Sequence, residues 1–163
     1  MVNFDYQTPT RLIFGRGVVS EKLASVMNQY GKRVLITYGG GSIKRTAPGH
    51  DKSLYDLVKD TLTDKQVFEL GGIQPNPKFN PSVLDGVRMC QDNDIDVILA
   101  VGGGSVLDCT KAIAGVAGTL KTKVTDNVEE AWDIVCGRKP TTAAVPIVDI
   151  ITMAATGSEY DMG

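Results

Sequence analysis

The sequence predicts an α/β fold in which helices cover both faces of an open, mainly parallel sheet. Apolar strand-like runs alternate with segments of helical apolar spacing, and the turns between them are short. Two of the apolar runs end in glycines, at "YGGGS" (residues 38–42) and "VGGGS" (residues 101–105). Open parallel sheets bind ligands beyond the carboxyl ends of their strands, and both glycine runs are predicted there.

The predicted elements follow one another in strand and helix order. Val19, Leu23 and Val26 recur with helical spacing and predict a helix over residues 18–30. An N-terminal strand pair is predicted from residues 3–6 and 10–14. The other predicted strands span residues 32–38, 65–73, 97–101 and 143–149, and the other predicted helices span 51–62, 81–93, 129–135 and a segment that begins at Ser105.

Composition excludes several classes of function. The 163 residues are predicted to form one domain, residues 1–163, of ordinary globular composition. A formal net charge of −2 argues against nucleic-acid and anionic-membrane binding. No apolar segment has the roughly 18 to 20 residues of a membrane span, and the N-terminus lacks the features of a signal peptide. Three cysteines without CxxC pairing predict reduced thiols in the cytoplasm.

The glycine run at residues 102–104 has the physical properties of an anion site. Glycines allow close approach of the backbone, and the helix predicted from Ser105 presents free N–H groups at the positive end of its dipole. The sequence "GGGSVLD" matches neither GxGxxG nor a P-loop. One or two glycines would suffice for a tight turn, so three in a row, repeated at residues 39–41, favour a phosphate site.

Asp108 has two interpretations that the sequence leaves open. With Ser105 it forms S-x-x-D, a capping box in which the carboxylate accepts from the Ser105 backbone N–H. A carboxylate beside a diphosphate would be unfavourable. A functional Asp108 would therefore face ribose, nicotinamide or substrate.

The first glycine run bears on the choice of dinucleotide. NAD-specific sheets usually place Asp or Glu at a strand end, where it accepts from the ribose hydroxyls of the adenosine. Residues 36–45 contain no carboxylate and instead offer open glycines, the Ser42 hydroxyl, Lys44 and Arg45. This arrangement suits a 2'-phosphate and favours NADP. The alternatives are NAD as the cofactor, and Lys44 and Arg45 as solvated surface charges.

Five stretches occur in one order across almost the whole chain: "TPTRLIFGRG" (8–17), "VLITYGGGSIK" (34–44), "GGIQPNP" (71–77), "AVGGGSVLDCTKAIA" (100–114) and "ATGSE" (155–159). Together they resemble the iron-containing alcohol dehydrogenases, in particular the NADP-linked butanol dehydrogenase-like branch. The resemblance implies that the chain is a Rossmann-like, doubly wound N-terminal domain that binds the dinucleotide. It also implies hydride transfer between NADP(H) and a primary alcohol or aldehyde, and pairing into a homodimer through N-terminal strands.

The resemblance assigns the adenosine end of the cofactor to the first glycine run and to the segment after the next strand. Gly39, Gly40 and Ser42 would surround the 2'-phosphate. Asn76, in Pro-Asn-Pro, would lie along the adenosine side of the cleft.

The resemblance assigns the pyrophosphate to Gly103, Gly104 and Ser105, with Asp108 near the nicotinamide and the substrate. It further implies that two threonines contact the cofactor from the opposite strand and loop, namely Thr152 and Thr156.

Two features qualify that last assignment. Thr156 and Glu159 also form a T-x-x-E capping box, so a purely structural role for the pair stays open. Ala154 replaces the proline that the family usually has in "LPATGSE".

The metal chemistry of the family has no counterpart in this sequence. Family members bind a divalent metal, usually iron, through one aspartate and three histidines of a C-terminal helical domain. The one histidine here, His50, matches no family ligand, and Asp161 does not match the metal-binding aspartate. We therefore expect that the helical metal domain is absent, that Fe²⁺ or another divalent metal belongs to the full-length enzyme, and that this chain by itself holds no catalytic residue and does not turn over substrate.

Three other possibilities stay open at this point. The chain could be a non-catalytic nucleotide-binding module or the product of a decayed gene. A flavodoxin-like binding protein fits the alternating pattern, but it leaves "TPTRLIFG" and "ATGSE" unexplained.

Overall fold

The structure is a computed structural model that describes residues 9–155 and 157–161. It contains four strands and five α-helices in the described residues. In chain order they are α1 (Val18–Met27), β1 (Arg33–Tyr38), α2 (Leu54–Thr61), β2 (Gln66–Leu70), α3 (Leu84–Asp92), β3 (Val97–Gly102), α4 (Gly104–Thr119), α5 (Val128–Val135) and β4 (Ile147–Ile151). A short 3-10 turn, Ser42–Lys44, follows β1, and a π-helical turn, Phe79–Val83, precedes α3.

The four strands form one parallel sheet in the order β2-β1-β3-β4. The central strands β1 and β3 are buried almost throughout, as their continuous apolar sequences predict for strands covered on both faces. Leu35 pairs with Ile98 in register, and Ile98 pairs with Ile147 on the other side. The sheet is therefore parallel and α/β in class, as the sequence predicts.

Each face of the sheet carries its own apolar core. Leu23 and Met27 of α1 and Val58 of α2 pack on one face, against Val34 and its neighbours on that side of β1. The helices α3, α4 and α5 pack on the other face, where Ile113 is fully buried. Alternate residues of a strand point to opposite faces, so the two cores together cover both sides of the central strands.

The predicted N-terminal strand at residues 10–14 is wrong. These residues are not in a strand in the described structure, and the predicted partner at 3–6 lies outside the described residues. Leu12 is 63% exposed and Phe14 is 93% exposed, so the apolar run "LIF" is not buried in this fold. An apolar run becomes a strand only where a neighbouring backbone supplies its hydrogen bonds. Thr10 Oγ1 donates to the Glu159 carbonyl oxygen at 3.0 Å, which is a side-chain contact and not a strand pairing.

The cysteines agree with the predicted reduced state, because all three are free. Burial raises the pKa of the Cys90 thiol to about 12. Burial, together with the nearby Asp108 carboxylate, raises the pKa of the Cys109 thiol to about 11.

Among the helices of residues 9–155 and 157–161, none has the length and apolar character needed to cross a membrane.

Gly118 tests how closely α4 packs against the chain that leads into β4. A Cβ added at Gly118 would lie 2.6 Å from Ala144 Cα and 2.7 Å from the Ala143 carbonyl oxygen, which are backbone atoms that cannot rotate away. We expect Gly118→Ala to lower the free energy of unfolding by about 2 kcal/mol, because overpacking outweighs the gain of about 1 kcal/mol in helix propensity. Urea unfolding followed by circular dichroism measures the change.

Gly115, one turn earlier in α4, is the matched control for that substitution. A Cβ there would meet Thr141 Cγ2 at 3.4 Å, which is an ordinary contact. Gly115→Ala should therefore be neutral or stabilising by up to about 1 kcal/mol. Equal effects of the two substitutions would contradict this packing.

Candidate functional site

The candidate site lies at the carboxyl edge of the sheet, where β1 and β3 end side by side. Tyr38 pairs with Val101 in register at this edge. From β1 the chain moves outward to β2, and it then returns to the other side of β1 as β3. Such a reversal of strand order leaves a crevice in which open α/β sheets bind ligands. The glycine runs at residues 39–41 and 102–104 both lie in this position.

The two glycine runs are close in space. A Cβ added at Gly39 would lie 3.7 Å from Val106 Cγ2, in the first turn of α4, and 3.3 Å from the Ile73 carbonyl oxygen. The segment after β2 lies along the first run as well, because the Gly72 N–H donates to the Gly39 carbonyl oxygen at 3.1 Å. The fold thus brings the predicted adenosine loop beside the predicted pyrophosphate loop.

The N-terminus of α4 is bare backbone. Gly103 is the N-cap residue, and no side chain of the described residues caps the helix. The Val106 N–H bonds back to the Gly103 carbonyl oxygen at 2.9 Å, whereas the N–H groups of the two residues between them are at helix positions that have no intrahelical acceptor. Those two residues are Gly104 and Ser105, both half-buried. The site therefore offers backbone donors at the positive end of a 16-residue helix.

The capping-box interpretation of Asp108 is wrong. A capping box requires Ser105 at the N-cap, but α4 begins at Gly104, and Gly103, two residues before Ser105, takes that position. Glycine tolerates the turn between β3 and α4 without a Cβ, so the helix starts inside the glycine run. The Asp108 side chain is exposed one turn into α4.

The loop after β4 approaches the second glycine run. The Thr152 N–H donates to the Gly102 carbonyl oxygen at 2.9 Å, which extends the pairing of β3 with β4 by one residue. A Cβ added at Gly103 would lie 3.9 Å from Met153 Cβ. Thr152 is exposed at this edge, as a residue facing a ligand must be. Thr156 lies outside the described residues, and the segment 157–161 that follows it is a turn.

A cleft of about 610 Å³ opens beside the first glycine run, on the α1 and α2 side of the sheet. It is lined by residues of four segments, among them Gly15, Ser42, Arg45, Leu54 and Thr152. Its volume lies within the range of roughly 300 to 1,000 Å³ that is typical of ligand sites. The cleft brings Ser42 and Thr152 together, but its walls do not include residues 103–105 or 108.

The remaining predicted residues are exposed at the same edge. Gly40 and Ser42 are exposed, and a Cβ added at Gly40 would meet no atom within 4 Å. Asn76 is exposed in the loop after β2 and has a φ of 53°, a left-handed conformation that asparagine tolerates better than most residues.

A network of polar side chains, which sequence reasoning missed, surrounds the end of β1. The Lys44 ammonium donates to Tyr38 Oη at 2.9 Å and lies 4.7 Å and 4.6 Å from the ring centroids of Tyr38 and Tyr55. Tyr38 Oη donates to Glu69 Oε2 at 3.2 Å, and Tyr55 Oη donates to Glu69 Oε1 at 2.9 Å. Lys59 Nζ also donates to Glu69 Oε1 at 2.9 Å. We call Lys44, Tyr38, Tyr55 and Glu69 the lysine cage.

Electrostatics keeps the charged members of this network ionised. Burial acts to raise the pKa of Glu69, but the hydrogen bonds from Lys59 and Tyr55 outweigh it and hold the pKa below its usual value. The hydrogen bond to Tyr38 raises the pKa of Lys44. Glu69 is thus a carboxylate next to the strand that ends in glycines, but two tyrosines and a lysine already occupy its oxygens.

Asp149, on β4, is a second polar group that the sequence did not indicate. Both carboxylate oxygens are shielded from solvent and have no hydrogen-bond partner in the described residues. Asp149 pairs in register with Ala100, which belongs to the core beneath α4. Burial, together with the nearby Glu159 carboxylate, raises the pKa of Asp149 to about 7, although Lys111 acts in the opposite direction.

The described residues do not form a metal site of the kind that the family resemblance implies. Within them, no group of three or more His, Cys, Asp or Glu side chains is placed to hold a metal ion. His50 lines the cleft together with two basic residues, Lys52 and Arg45.

Comparison with known proteins gives a family match over almost the whole chain. The sequence model of the family described as "Iron-containing alcohol dehydrogenase" matches residues 9–162. A Bacillus subtilis protein named "Probable NADH-dependent butanol dehydrogenase 1" is 47% identical over 165 residues, which cover 100% of this chain and 38% of that protein. The Escherichia coli protein named "NADPH-dependent aldehyde reductase YqhD" is 38% identical over 163 residues, covering 100% of this chain and 38% of that protein.

Solved structures agree with the fold. The crystal structure of Escherichia coli K-12 YqhD matches with a TM-score of 0.79 and 40% identity, over 98% of this chain and 37% of that one. The NADH-dependent butanol dehydrogenase A of Thermotoga maritima matches with a TM-score of 0.79 and 33% identity, over 95% of this chain and 36% of that one. The chain thus spans less than two fifths of the length of these relatives.

Proposed function

Because this chain belongs to the iron-containing alcohol dehydrogenase family, we propose that it forms the dinucleotide-binding portion of an enzyme that transfers hydride between NAD(P)H and a primary alcohol or aldehyde. The observation that carries the proposal is the uncapped N-terminus of α4, which lies beside a second glycine run at the switch point of the sheet. Such an arrangement supplies the donors and the close approach that a diphosphate requires.

The proposed pyrophosphate site consists of Gly103, Gly104 and Ser105. The nearest atom to a Cβ added at Gly103 would be 3.9 Å away, so a ligand oxygen has room to reach the backbone. The two N–H groups after Gly103 supply donors, and the Ser105 hydroxyl adds another. Dipole and donors act on the same charge, which is why a helix N-terminus binds phosphate groups in many folds.

The proposed adenosine site consists of Gly39, Gly40 and Ser42, with Asn76 along its outer side. Gly40 and Gly41 have open space where a side chain would stand, which leaves the backbone accessible to a ligand. Ser42 is exposed and lines the cleft, whose walls also include Thr152. A dinucleotide lying from Ser42 to Ser105 would follow the carboxyl ends of β1 and β3.

We propose NADP as the preferred dinucleotide. The relatives' names divide between NADH and NADPH, so the argument rests on the residues of this chain. Glu69 could accept from ribose hydroxyls by its strand position, but its oxygens are bound by Lys59 and the two tyrosines. Lys44 and Arg45 add positive charge beside Ser42.

When bound, the nicotinamide supplies the hydride donor or acceptor, and the residues of this chain would fix its position. Asp108 is exposed one turn into α4, and we propose that it faces the nicotinamide and substrate. Thr152 and Thr156 are proposed to contact the cofactor from the β4 side. The alcohol or aldehyde substrate, homodimer formation and a cytoplasmic location are likewise proposals.

A substitution at Ser42 tests the choice of dinucleotide. We expect Ser42→Asp to weaken NADPH binding about tenfold, because a carboxylate would be placed against the 2'-phosphate, and to leave NADH binding within about twofold. Ser42→Asn has nearly the same shape without the charge and serves as the control. Fluorescence titration with both dinucleotides gives the ratio of dissociation constants. If the ratio of dissociation constants is unchanged in Ser42→Asp, the assignment of the 2'-phosphate to this loop is contradicted.

A further inference from the structure

Among the residues that the structure describes, Lys44 of the lysine cage has no carboxylate as a direct ion-pair partner. Lys59 forms the direct ion pair with Glu69, at 2.9 Å. Lys44 reaches Glu69 only through the Tyr38 hydroxyl, which accepts from the ammonium and donates to the carboxylate. The network therefore contains two ammonium groups and one carboxylate. The carboxylate pairs directly with Lys59, so the charge of Lys44, which follows the glycine run in sequence, is not neutralised by a direct ion pair.

The cage also fixes where that charge is. Two tyrosine rings approach each other edge to face, with centroids 6.0 Å apart, and the ammonium lies over both. Such cation–π contacts orient a lysine without neutralising it. An ammonium has three N–H donors, and in the described residues Lys44 uses one of them, on Tyr38. The other two donors remain available to an anion.

The cage adjoins the adenosine loop directly. Tyr38 is the last residue of β1, immediately before Gly39, and Lys44 closes the 3-10 turn that begins at Ser42. Gly71 also packs against the Tyr38 ring, because a Cβ added at Gly71 would lie only 2.5 Å from it. The ring is thus enclosed, and only 8% of Tyr38 is exposed.

From this geometry we propose that Lys44 selects dinucleotides that carry a 2'-phosphate, and that Tyr38 and Glu69 are positioning residues that hold its ammonium beside residues 39–42. The inference rests on the proposed function, and it deepens it by naming the specificity-determining cation and the side chains that orient it. Glu69 occupies a strand end where a carboxylate would favour a ribose hydroxyl, but in this chain it acts through Tyr38 to present a positive charge.

The test compares NADPH and NADH binding to the 163-residue chain and its variants by fluorescence titration. Lys44→Gln is expected to weaken NADPH binding about tenfold and to leave NADH binding within about twofold. Tyr38→Phe keeps the ring and changes no charge, and it is expected to weaken NADPH binding about threefold. Lys32→Gln, which removes an exposed lysine at the amino end of β1, is the charge control and should change neither constant.

Glu69→Gln separates positioning from simple repulsion. If Glu69 only repelled the phosphate, removing its charge would tighten NADPH binding. Positioning through Tyr38 predicts the opposite, a loss of about threefold for NADPH with NADH unchanged. The salt dependence of NADPH binding should also be smaller in Lys44→Gln than in the wild type, because one screened charge contact has been removed.

The outcomes distinguish the two proposals. Wild-type binding of neither dinucleotide overturns the proposed function, and the inference with it. Binding of both with an NADPH-to-NADH ratio that is unchanged in Lys44→Gln, or a loss that appears in Arg45→Gln instead, overturns the inference alone. Tighter NADPH binding by Glu69→Gln overturns the positioning role. Thermal unfolding by circular dichroism confirms that each variant is folded.

Discussion

Gly103→Asp is expected to weaken dinucleotide binding about 100-fold while the fold is unaffected or slightly stabilised. The backbone of Gly103 has φ −92° and ψ −174°, which any residue can adopt, and a Cβ there meets its nearest neighbour at 3.9 Å. Aspartate is a favourable N-cap residue and interacts well with the helix dipole. The same carboxylate would stand where the pyrophosphate is proposed to bind, and like charges in contact cost several kcal/mol.

Gly103→Asn is the matched control for that experiment. It has the same size and also caps the helix, so it isolates the steric part of the effect, which we expect to be about tenfold or less. Titration calorimetry measures the affinity, and thermal unfolding measures the stability. Equal affinities of the Asp and Asn variants would show that no negative charge binds at the N-terminus of α4.

Asp149→Asn is expected to stabilise the protein at alkaline pH by about 2 to 4 kcal/mol. The carboxyl oxygens of Asp149 are buried and have no hydrogen-bond partner in the described part of the chain, and burial raises the pKa of this carboxyl to about 7. An unfolded aspartate has a pKa of about 3.9. The folded state therefore holds a proton that the unfolded state loses, and wild-type stability from this group falls as the pH rises from about 4 to about 7.

The stabilisation of Asp149→Asn relative to the wild type, measured as a difference in free energy of unfolding, should consequently increase as the pH rises. Near pH 4 both side chains are neutral, and the two proteins should differ by less than about 1 kcal/mol. Above pH 7 the wild type carries a buried negative charge and the variant does not. Urea unfolding at pH 4.5, 6, 7.5 and 9 measures the difference.

Asp85→Asn provides the control for the pH series. Asp85 is at the surface of α3, paired with Arg88 at 2.8 Å, and about half of each side chain is exposed. Exposed pairs of this kind contribute roughly 0 to 1 kcal/mol. An Asp149→Asn effect that is constant with pH, or equal to that of Asp85→Asn, would contradict burial of an ionisable carboxyl.

The class and order of the fold could be predicted because the strongest signals in this sequence are local. Continuous apolar runs such as "VLIT" and "VILAV" are covered on both faces, and the spacing of helical apolar residues agrees with α1 and α2 to within a few residues. The start of α2 is a helix boundary that the sequence analysis placed incorrectly. Ser53 and Asp56 form a capping box there, so the helix begins at Leu54 rather than at residue 51.

The prediction of the N-terminal strand was wrong because it depended on a non-local contact. The apolar run at residues 10–14 has the composition of a strand, but a strand also needs a partner, and pairing is a tertiary property. The prediction of a strand from "RLIF" had no information about which backbone would lie beside it.

The candidate site divides in the same way. The glycine runs could be found from the sequence, because repeated glycine after an apolar run indicates a tight turn whose backbone a ligand can approach closely. Glu69 could not, since it is 27 residues after Ser42 and approaches Tyr38 only because β2 pairs with β1. Asp149 carries no sequence signal either, because an aspartate in a strand gives no indication of whether its oxygens will find partners.

The central claim is that a dinucleotide binds across the two glycine runs, and amide chemical shifts of the ¹⁵N-labelled chain test it most directly. Titration with NADPH is predicted to shift the backbone amide resonances of Gly40, Ser42, Gly104 and Ser105 most, with smaller changes at Thr152. Shifts that concentrate elsewhere, for example at the surface groove beside Cys90 and Leu120, or no shifts at millimolar NADPH, would contradict it.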